Sequence, residues 1–529
     1  MRKQFFANKL ALILIVAAFL HFFLLDRVPP SLNWDEISMG YTAYSVAETG
    51  RDEWGEQLPI FFRSYGEWKS AVYIYLLVPF VKILGLNEWV VRLPSAIAGI
   101  IAVYLTYLIG RKLYSERVGL SAALLLAISP WHLVLSRPAF EANVSLTLIL
   151  AGIHFFLQNR YLVGALMLGL APHTYNSAKV VVPFLVLYLI WQSKLYKNLK
   201  SLAVFLIPLA LCAMPLLLNI TSGRAAFRYT QVGVTTDSKA LNEFVDHRNR
   251  VSIHPLLGKL VFNKYTYSLH AVADNYLSYL NPAHLLVESG DHAQHHVPYF
   301  GILYFAEFVL LLHGLTMLKK QASNYKYLPV VVIALGLVPA ALTRDQGHVL
   351  RTLLTLPGWQ LLAGLGLATI TTRPRHILVT ALVAQALVFL IAYFWWYPQT
   401  YARDWQYGHK QVAEYLREHE DEYGHIVMTK WYGEPQLFLA FYNQWDPTWF
   451  QDQNKNNLRY ESEGRLWLDQ LPEYAIGKYT FKYLDLATIP LEPNTLYIGK
   501  FDDFFENPET LRTITFPDGS VAFHIVEGK

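Results

Sequence analysis

The chain carries a single cysteine, Cys212, set in an apolar run. An intrachain disulfide is therefore impossible, and a lone buried thiol behaves as a small apolar residue. Charge is scarce too: 16% of residues are Asp, Glu, Lys or Arg, against about 25% in an ordinary soluble protein. The net charge is only +4. It comes with no Lys/Arg stripe and no aromatic-basic module, which excludes a nucleic-acid partner. The phosphate-cradling Walker loop, the glycine fingerprint of dinucleotide sites and the Gly-x-Ser-x-Gly nucleophile turn are all missing, which removes support for ATP-driven transport and cofactor redox chemistry. There is no internal repeat. What fills the chain is apolar: 53% hydrophobic and 15% aromatic residues, gathered in long runs. That pattern predicts a polytopic α-helical membrane protein.

A span needs about 20 mostly apolar residues. Runs that fit cover Leu10–Leu25, Leu93–Ile109, Val118–Leu135, Val144–Leu157, Tyr161–Ala171, Val180–Trp191, Leu202–Ile220, Phe300–Leu318, Leu328–Leu342, Leu350–Ile370 and Ile377–Trp396, about eleven spans. The first follows Met1-Arg2-Lys3 without a small-x-small cleavage site and reads as an uncleaved anchor. Arg2/Lys3, Arg111/Lys112/Arg117, Arg160, Lys194/Lys197/Lys200, Lys319/Lys320/Lys326 and Arg373/Arg375 fall in alternate connections. The positive-inside rule puts these in the cytoplasm. The loops 26–92, 136–143, 172–179, 221–299 and 343–349, and everything after Trp396, then face outward. Ala71–Leu86 is apolar, but spanning there would invert every later loop, so a re-entrant or interfacial helix is expected. The chain thus divides into a membrane part, 1–396, and a C-terminal extracytoplasmic α/β domain, 397–529. The latter is read from a helix over Lys410–Glu420, a strand over His425–Thr429, a break at Gly433-Glu434-Pro435, a helix over Gln436–Tyr442, a strand near Thr495–Ile498 and a hairpin turning at Asp518-Gly519.

Polar chemistry collects in the outward loops. Asp35 and Glu36 form an adjacent acidic pair just past the first apolar run, a costly arrangement near lipid that marks a site handling something reactive or charged. The same loop holds Tyr65, Glu67, Lys69 and Arg92. The second carries Arg137 and Glu141, the third His173, Tyr175 and Lys179, and a later one Arg344 and His348. An outward carboxylate suits deprotonation of an acceptor, and outward cations suit a departing phosphate at headgroup level. The plainer readings are a solvated helix end for the acidic pair, snorkelling for Lys69, Arg92 and Arg137, and an ion pair with Arg137 for Glu141. His292, His295 and His296 with Asp291 have spacing compatible with zinc on a helix. Ser289-Gly290 and Pro298 argue for a loop instead, so no metal is assigned there.

Glu67-Trp68-Lys69, Asn87-Glu88-Trp89-Val90-Val91-Arg92-Leu93-Pro94-Ser95-Ala96 and Ser129-Pro130-Trp131-His132, continuing to Ser136-Arg137-Pro138-Ala139-Phe140-Glu141, follow the acidic pair in that order. The chain thereby resembles the bacterial branch of the protein O-mannosyltransferase and lipid A aminoarabinose transferase superfamily, most clearly over residues 1–200. The resemblance implies a C-type glycosyltransferase fold in the cell membrane and inverting transfer, outside the cytoplasm, from a polyprenyl-phosphate sugar to a protein, lipid or glycan acceptor. It implies Asp35 as catalytic base and matches Glu141 to the second-loop acidic residue; beside them, Glu36 would orient the acceptor or Asp35, and Glu141 would hold the acceptor or tune the basic cluster. Lys69 would contact donor phosphate, with Arg92 and Arg137 beside it; Tyr65, His173, Tyr175, Lys179, Arg344 and His348 are possible substrate contacts. No cofactor is implied, with a divalent metal left open. Lys69-Ser70-Ala71 stands where relatives carry Lys-Pro-Pro, and Glu141 where they often carry Asp. The alternative is a lipid-linked sugar transporter that forms no bond.

Overall fold

A computed structural model describes residues 2–65, 68–219, 227–250, 255–288, 290, 292–485, 491–504 and 509–528. Glu67 and Asp291 lie outside the described residues. The chain forms two compact units.

The first unit comprises Met1–Phe23, Ser95–Ser136 and Phe140–Leu390 and is helical. Each run expected to span is largely helix here, but the count of eleven is not confirmed. Among the described residues three helices are long and apolar enough to cross a membrane: Glu88–Leu113, Leu199–Leu218 and Thr372–Thr400. A fourth span results if Glu116–Ala127 and Pro130–Ser136, bent by 60°, count as one. The break falls where Pro130 removes a backbone donor and biases Ser129 away from helical angles. The run Leu350–Ile370 is likewise split at Pro357, into a 3₁₀ segment over Val349–Thr355 and a helix over Gly358–Thr369. Glycine sets the closest approach in this unit. A Cβ on Gly314 would strike the Leu362 carbonyl oxygen, and one on Gly366 would strike that of Leu310. The Phe305–Leu318 and Gly358–Thr369 helices therefore pack backbone to backbone, as small residues allow in membranes.

The second unit comprises Leu24–Pro94, Arg137–Ala139 and Ile391–Lys529; the segment after the first apolar run and the tail are thus built together. The tail carries a six-stranded mixed sheet in the order β4-β5-β3-β6-β8-β7. Its strands are β3 (His425–Thr429), β4 (Glu473–Ile476), β5 (Tyr479–Lys482), β6 (Thr495–Gly499), β7 (Thr510–Thr515) and β8 (Val521–Glu527). Strand β3 is central and parallel to both neighbours. The expected β3, β6 and Asp518-Gly519 hairpin are in place; β4 and β5 are additions. Helices His409–His419 and Pro435–Tyr442 lie within a residue of those expected over Lys410–Glu420 and Gln436–Tyr442. The segment 26–92 is no simple loop. It contains a Trp34–Thr49 helix, a two-stranded hairpin of β1 (Phe61–Arg63) and β2 (Trp68–Ser70), and an Ala71–Leu84 helix. At 14 residues the last is about 21 Å long, short of the roughly 30 Å hydrocarbon core. Gln451 Nε2 donates to Ser45 Oγ at 3.0 Å and Tyr41 OH to the Trp445 carbonyl at 2.9 Å, tying Trp34–Thr49 to the tail.

Candidate functional site

The acidic pair opens the Trp34–Thr49 helix, where unpaired backbone N–H groups favour negative charge. Asn33 caps it: its side chain accepts from the Glu36 N–H at 2.9 Å, and Glu36 Oε2 accepts from the Asn33 N–H at 3.2 Å. This capping box aims the two neighbouring carboxylates differently, since successive helical residues diverge by about 100°.

Glu36 points inward and is fully buried. Arg92 Nε donates to its Oε1 at 2.9 Å and Arg92 Nη2 to its Oε2 at 3.1 Å, a bidentate pair. The Ala139 N–H adds a bond to Oε1 at 2.8 Å. The remaining donors of Arg92 go to the carbonyls of Leu25 (2.9 Å), Pro29 (2.8 Å) and Ser31. A guanidinium has five N–H groups, and all five are engaged. Arg137, also buried, donates to the carbonyls of Leu24 at 3.1 Å and Val28 at 2.8 Å, with its guanidinium 4.9 Å from the Phe394 ring. Burial, and secondarily nearby Arg92, brings Arg137 down to about 10 despite the neighbouring Tyr393. The two arginines thus gather the carbonyls of the 24–31 strap and fix where the helix starts.

Asp35 points outward. Its side chain is 45% exposed, and Lys69 Nζ lies 3.2 Å from its Oδ1 with only 12% exposure. Lys69 is held on β2, opposite Phe62 on β1. The structure therefore brings a reachable carboxylate and a sheltered ammonium together on a braced helix end. Deeper in the unit lies a feature the sequence reading missed. Glu53 is buried and accepts from Thr42 Oγ1 at 2.5 Å. Burial, then the charge of Asp52, carries Glu53 up to about 8, against the opposing pull of Thr42 and Lys69. Asp52 is itself raised by burial to about 6, although its Oδ1 accepts from the Trp54 and Glu56 N–H groups. Its signal was a second adjacent acidic pair in the same loop, but only the fold reveals the burial. Tyr65 is buried beside it, its ring 4.9 Å from that of Trp54 and its hydroxyl accepting from Asn454 Nδ2 at 3.1 Å.

The other expected residues belong to the first unit. Glu141 opens the Glu141–Leu157 helix. His173 Nε2 lies 2.7 Å from the Cys212 carbonyl oxygen. Tyr175 is buried, and Lys179 Nζ donates to Asn176 Oδ1 at 2.6 Å. Arg344 donates to the Gln231 carbonyl. His348 packs against His292 and His295 at centroid distances of 5.4 and 4.8 Å. Burial pushes His348 down to about 2, and Arg351, His295 and His292 push the same way. His295 follows His292 in a turn rather than a helix. Among the described residues no group of three or more His, Cys, Asp or Glu side chains could hold a metal ion.

Residues 69–218 match the family model for dolichyl-phosphate-mannose-protein mannosyltransferase. ArnT from Cupriavidus metallidurans in the apo state is similar in fold, with a TM-score of 0.53, 12% identity and 98% of each chain covered. The same protein bound to undecaprenyl phosphate superposes at 0.44, with 13% identity over 98% of this chain and 97% of that one. An archaeal oligosaccharyltransferase, AglB from Archaeoglobus fulgidus in complex with an inhibitory peptide and a dolichol-phosphate, gives 0.48 at 14% identity over 83% of this chain. The chain spans 64% of that protein's length. No curated protein matches the sequence. The resemblance carried by the loop motifs thus extends to a family model and a whole-chain fold.

Proposed function

We propose that this chain is an inverting membrane glycosyltransferase that moves a sugar from a polyprenyl-phosphate donor to an acceptor on the extracytoplasmic side. The observation that carries the reading is the Asp35–Lys69 pair, 3.2 Å apart and accessible through Asp35. The mannosyltransferase family match begins at Lys69 itself, and the ArnT-like fold accommodates the same multi-helix organisation.

In the proposed step Asp35 takes the proton of the acceptor hydroxyl as its oxygen attacks the anomeric carbon. The bond between that carbon and the phosphate oxygen breaks, and the departing phosphate keeps the electron pair. A phosphate is a good leaving group, so stabilising its negative charge matters more than protonating it. Lys69 supplies a positive charge beside the base. Glu36, Arg92 and Arg137 hold the geometry rather than the substrate, because every donor of Arg92 is already engaged. Outward placement is supported by the basic residues of the alternate loops.

The test uses proteoliposomes of wild type and Asp35→Asn, given a radiolabelled polyprenyl-phosphate sugar pool and a membrane extract. Label leaving the donor for a new product with wild type alone supports transfer. Label crossing the bilayer with the donor intact in both would replace the reading by transport without bond formation.

A further inference from the structure

Three aromatic side chains of the second unit are exposed without being loose. Trp431 is 59% exposed, Tyr483 57% and Trp34 40%. The Trp431 and Tyr483 rings meet edge to face, 6.2 Å between centroids. Each has a cation on one face: Lys500 Nζ lies 4.9 Å from the Trp431 centroid, and Lys430 Nζ 4.7 Å from that of Tyr483. Both cations are tethered. Lys500 pairs with Asp502 at 3.2 Å, and buried Lys430 donates to the carbonyls of Asp469 (2.6 Å) and Leu471. Such backing fixes the rings and leaves their remaining surface to solvent.

Trp34 joins them through Gly433, which has φ +83°; a Cβ there would come within 3.0 Å of Trp34 Cε3. The indole thus lies against the backbone two residues from Trp431, and Trp34 immediately precedes Asp35 in the chain. Rigid aromatic faces accept the C–H-rich faces of sugar rings while polar neighbours take the hydroxyls. The surroundings argue against lipid as the occupant. The side chain of Asp502 is 75% exposed and Asp469 lies on the same segment as Lys430's acceptor carbonyls, whereas a face immersed in hydrocarbon excludes carboxylates.

We infer that Trp34, Trp431 and Tyr483 form the docking platform for the acceptor, and that the acceptor is a neutral glycan seated beside Asp35. The inference rests on the transferase reading above, from which it takes the role of Asp35.

The test is donor-free binding to the full chain in nanodiscs, with neutral hexasaccharides of mannose, glucose and N-acetylglucosamine as probes, followed by tryptophan fluorescence and saturation-transfer NMR. At least one probe should bind, with saturation strongest on ring-face protons. Trp431→Ala and Tyr483→Ala should each weaken binding about tenfold, while Trp431→Phe retains most of it. Tyr483→Ala carries the test if Trp431→Ala does not fold. No binding by any probe, or equal binding by the alanine variants, overturns the inference, as does quenching of Trp431 by brominated lipid acyl chains. Because no donor is present, wild type that transfers sugar yet binds no glycan overturns this inference alone. Glycan binding without donor consumption overturns the acceptor role together with the transferase reading.

Discussion

Removing the Glu36 carboxylate separates scaffold from chemistry. In Glu36→Ala, Arg92 loses two of its five acceptors and stays buried with an uncompensated charge, while the N–H groups of Asn33 and Ala139 lose their acceptor. Breaking a buried pair by deleting one partner costs about 3–5 kcal/mol, a large part of a typical stability of roughly 5–15 kcal/mol. Thermal unfolding of detergent-purified protein, followed by tryptophan fluorescence, should therefore show a large loss for Glu36→Ala and for Arg92→Met. The double variant Glu36→Leu/Arg92→Met should recover part of it, because no unpaired charge remains. Asp35→Asn, at a half-exposed position, should unfold within about 0.5 kcal/mol of wild type while losing transfer. If Glu36→Ala is as stable as wild type yet inactive, Glu36 acts on substrate and the scaffold argument fails.

Lys69→Met should lower turnover about 10²–10³-fold, with Lys69→Arg recovering part of it; unchanged turnover in a donor-consumption assay would remove Lys69 from the step. Glu53 has its folded pKa raised from 4.5 to about 8, so the folded state keeps a proton that the unfolded state has lost. Its contribution is full below about pH 4.5 and is lost as pH rises through 8. Unfolding temperatures measured from pH 5 to 9 should fall in wild type and fall less in Glu53→Gln. Gly314→Val should prevent the Phe305–Leu318 and Gly358–Thr369 helices from closing; size-exclusion profiles in detergent would reveal aggregation, and a monodisperse, active variant would refute the backbone-contact argument.

Legibility followed the range over which each feature is decided. The Asp518-Gly519 hairpin and the helix over His409–His419 depend on local turn chemistry and local periodicity, and both are where the sequence pattern predicts. Asp35 stood out because an acidic pair beside an apolar run is costly wherever it folds. Glu36 and Arg92 are 56 residues apart, and no periodic pattern joins them, so their buried pairing is not legible in the sequence. Glu53 went unremarked because its burial depends on partners distant in sequence, among them Asn454, which donates to its backbone carbonyl at 3.4 Å. The span count is not confirmed, and at two of the runs the reason is a proline: hydropathy averages across Pro130 and Pro357, whereas the helix breaks there.

The division of labour between two adjacent carboxylates follows from one helix turn. In the proposed step Asp35 is the base that meets substrate and so has to be solvated, and a solvated side chain on an exposed helix end would wander. Burying its neighbour against a fully saturated arginine restrains the backbone of the first turn, and the capping box sets the angle at which Asp35 leaves it. Lys69 in turn is held in place because β2 is paired to β1 along its length. Precision at Asp35 is thus obtained from Glu36 and Arg92, which touch no solvent, at the modest cost of desolvating one charge pair whose lone pairs and protons are satisfied by the protein itself. The two roles do not exchange, because position 35 faces outward and position 36 inward on the same turn. Combining Asp35→Glu with Glu36→Asp keeps both charges in the helix's first turn, yet it leaves the inner carboxylate one methylene short of Arg92 and pushes the outer one past its contact with Lys69. That double variant should lose stability and transfer together, although its composition and net charge are those of the wild type.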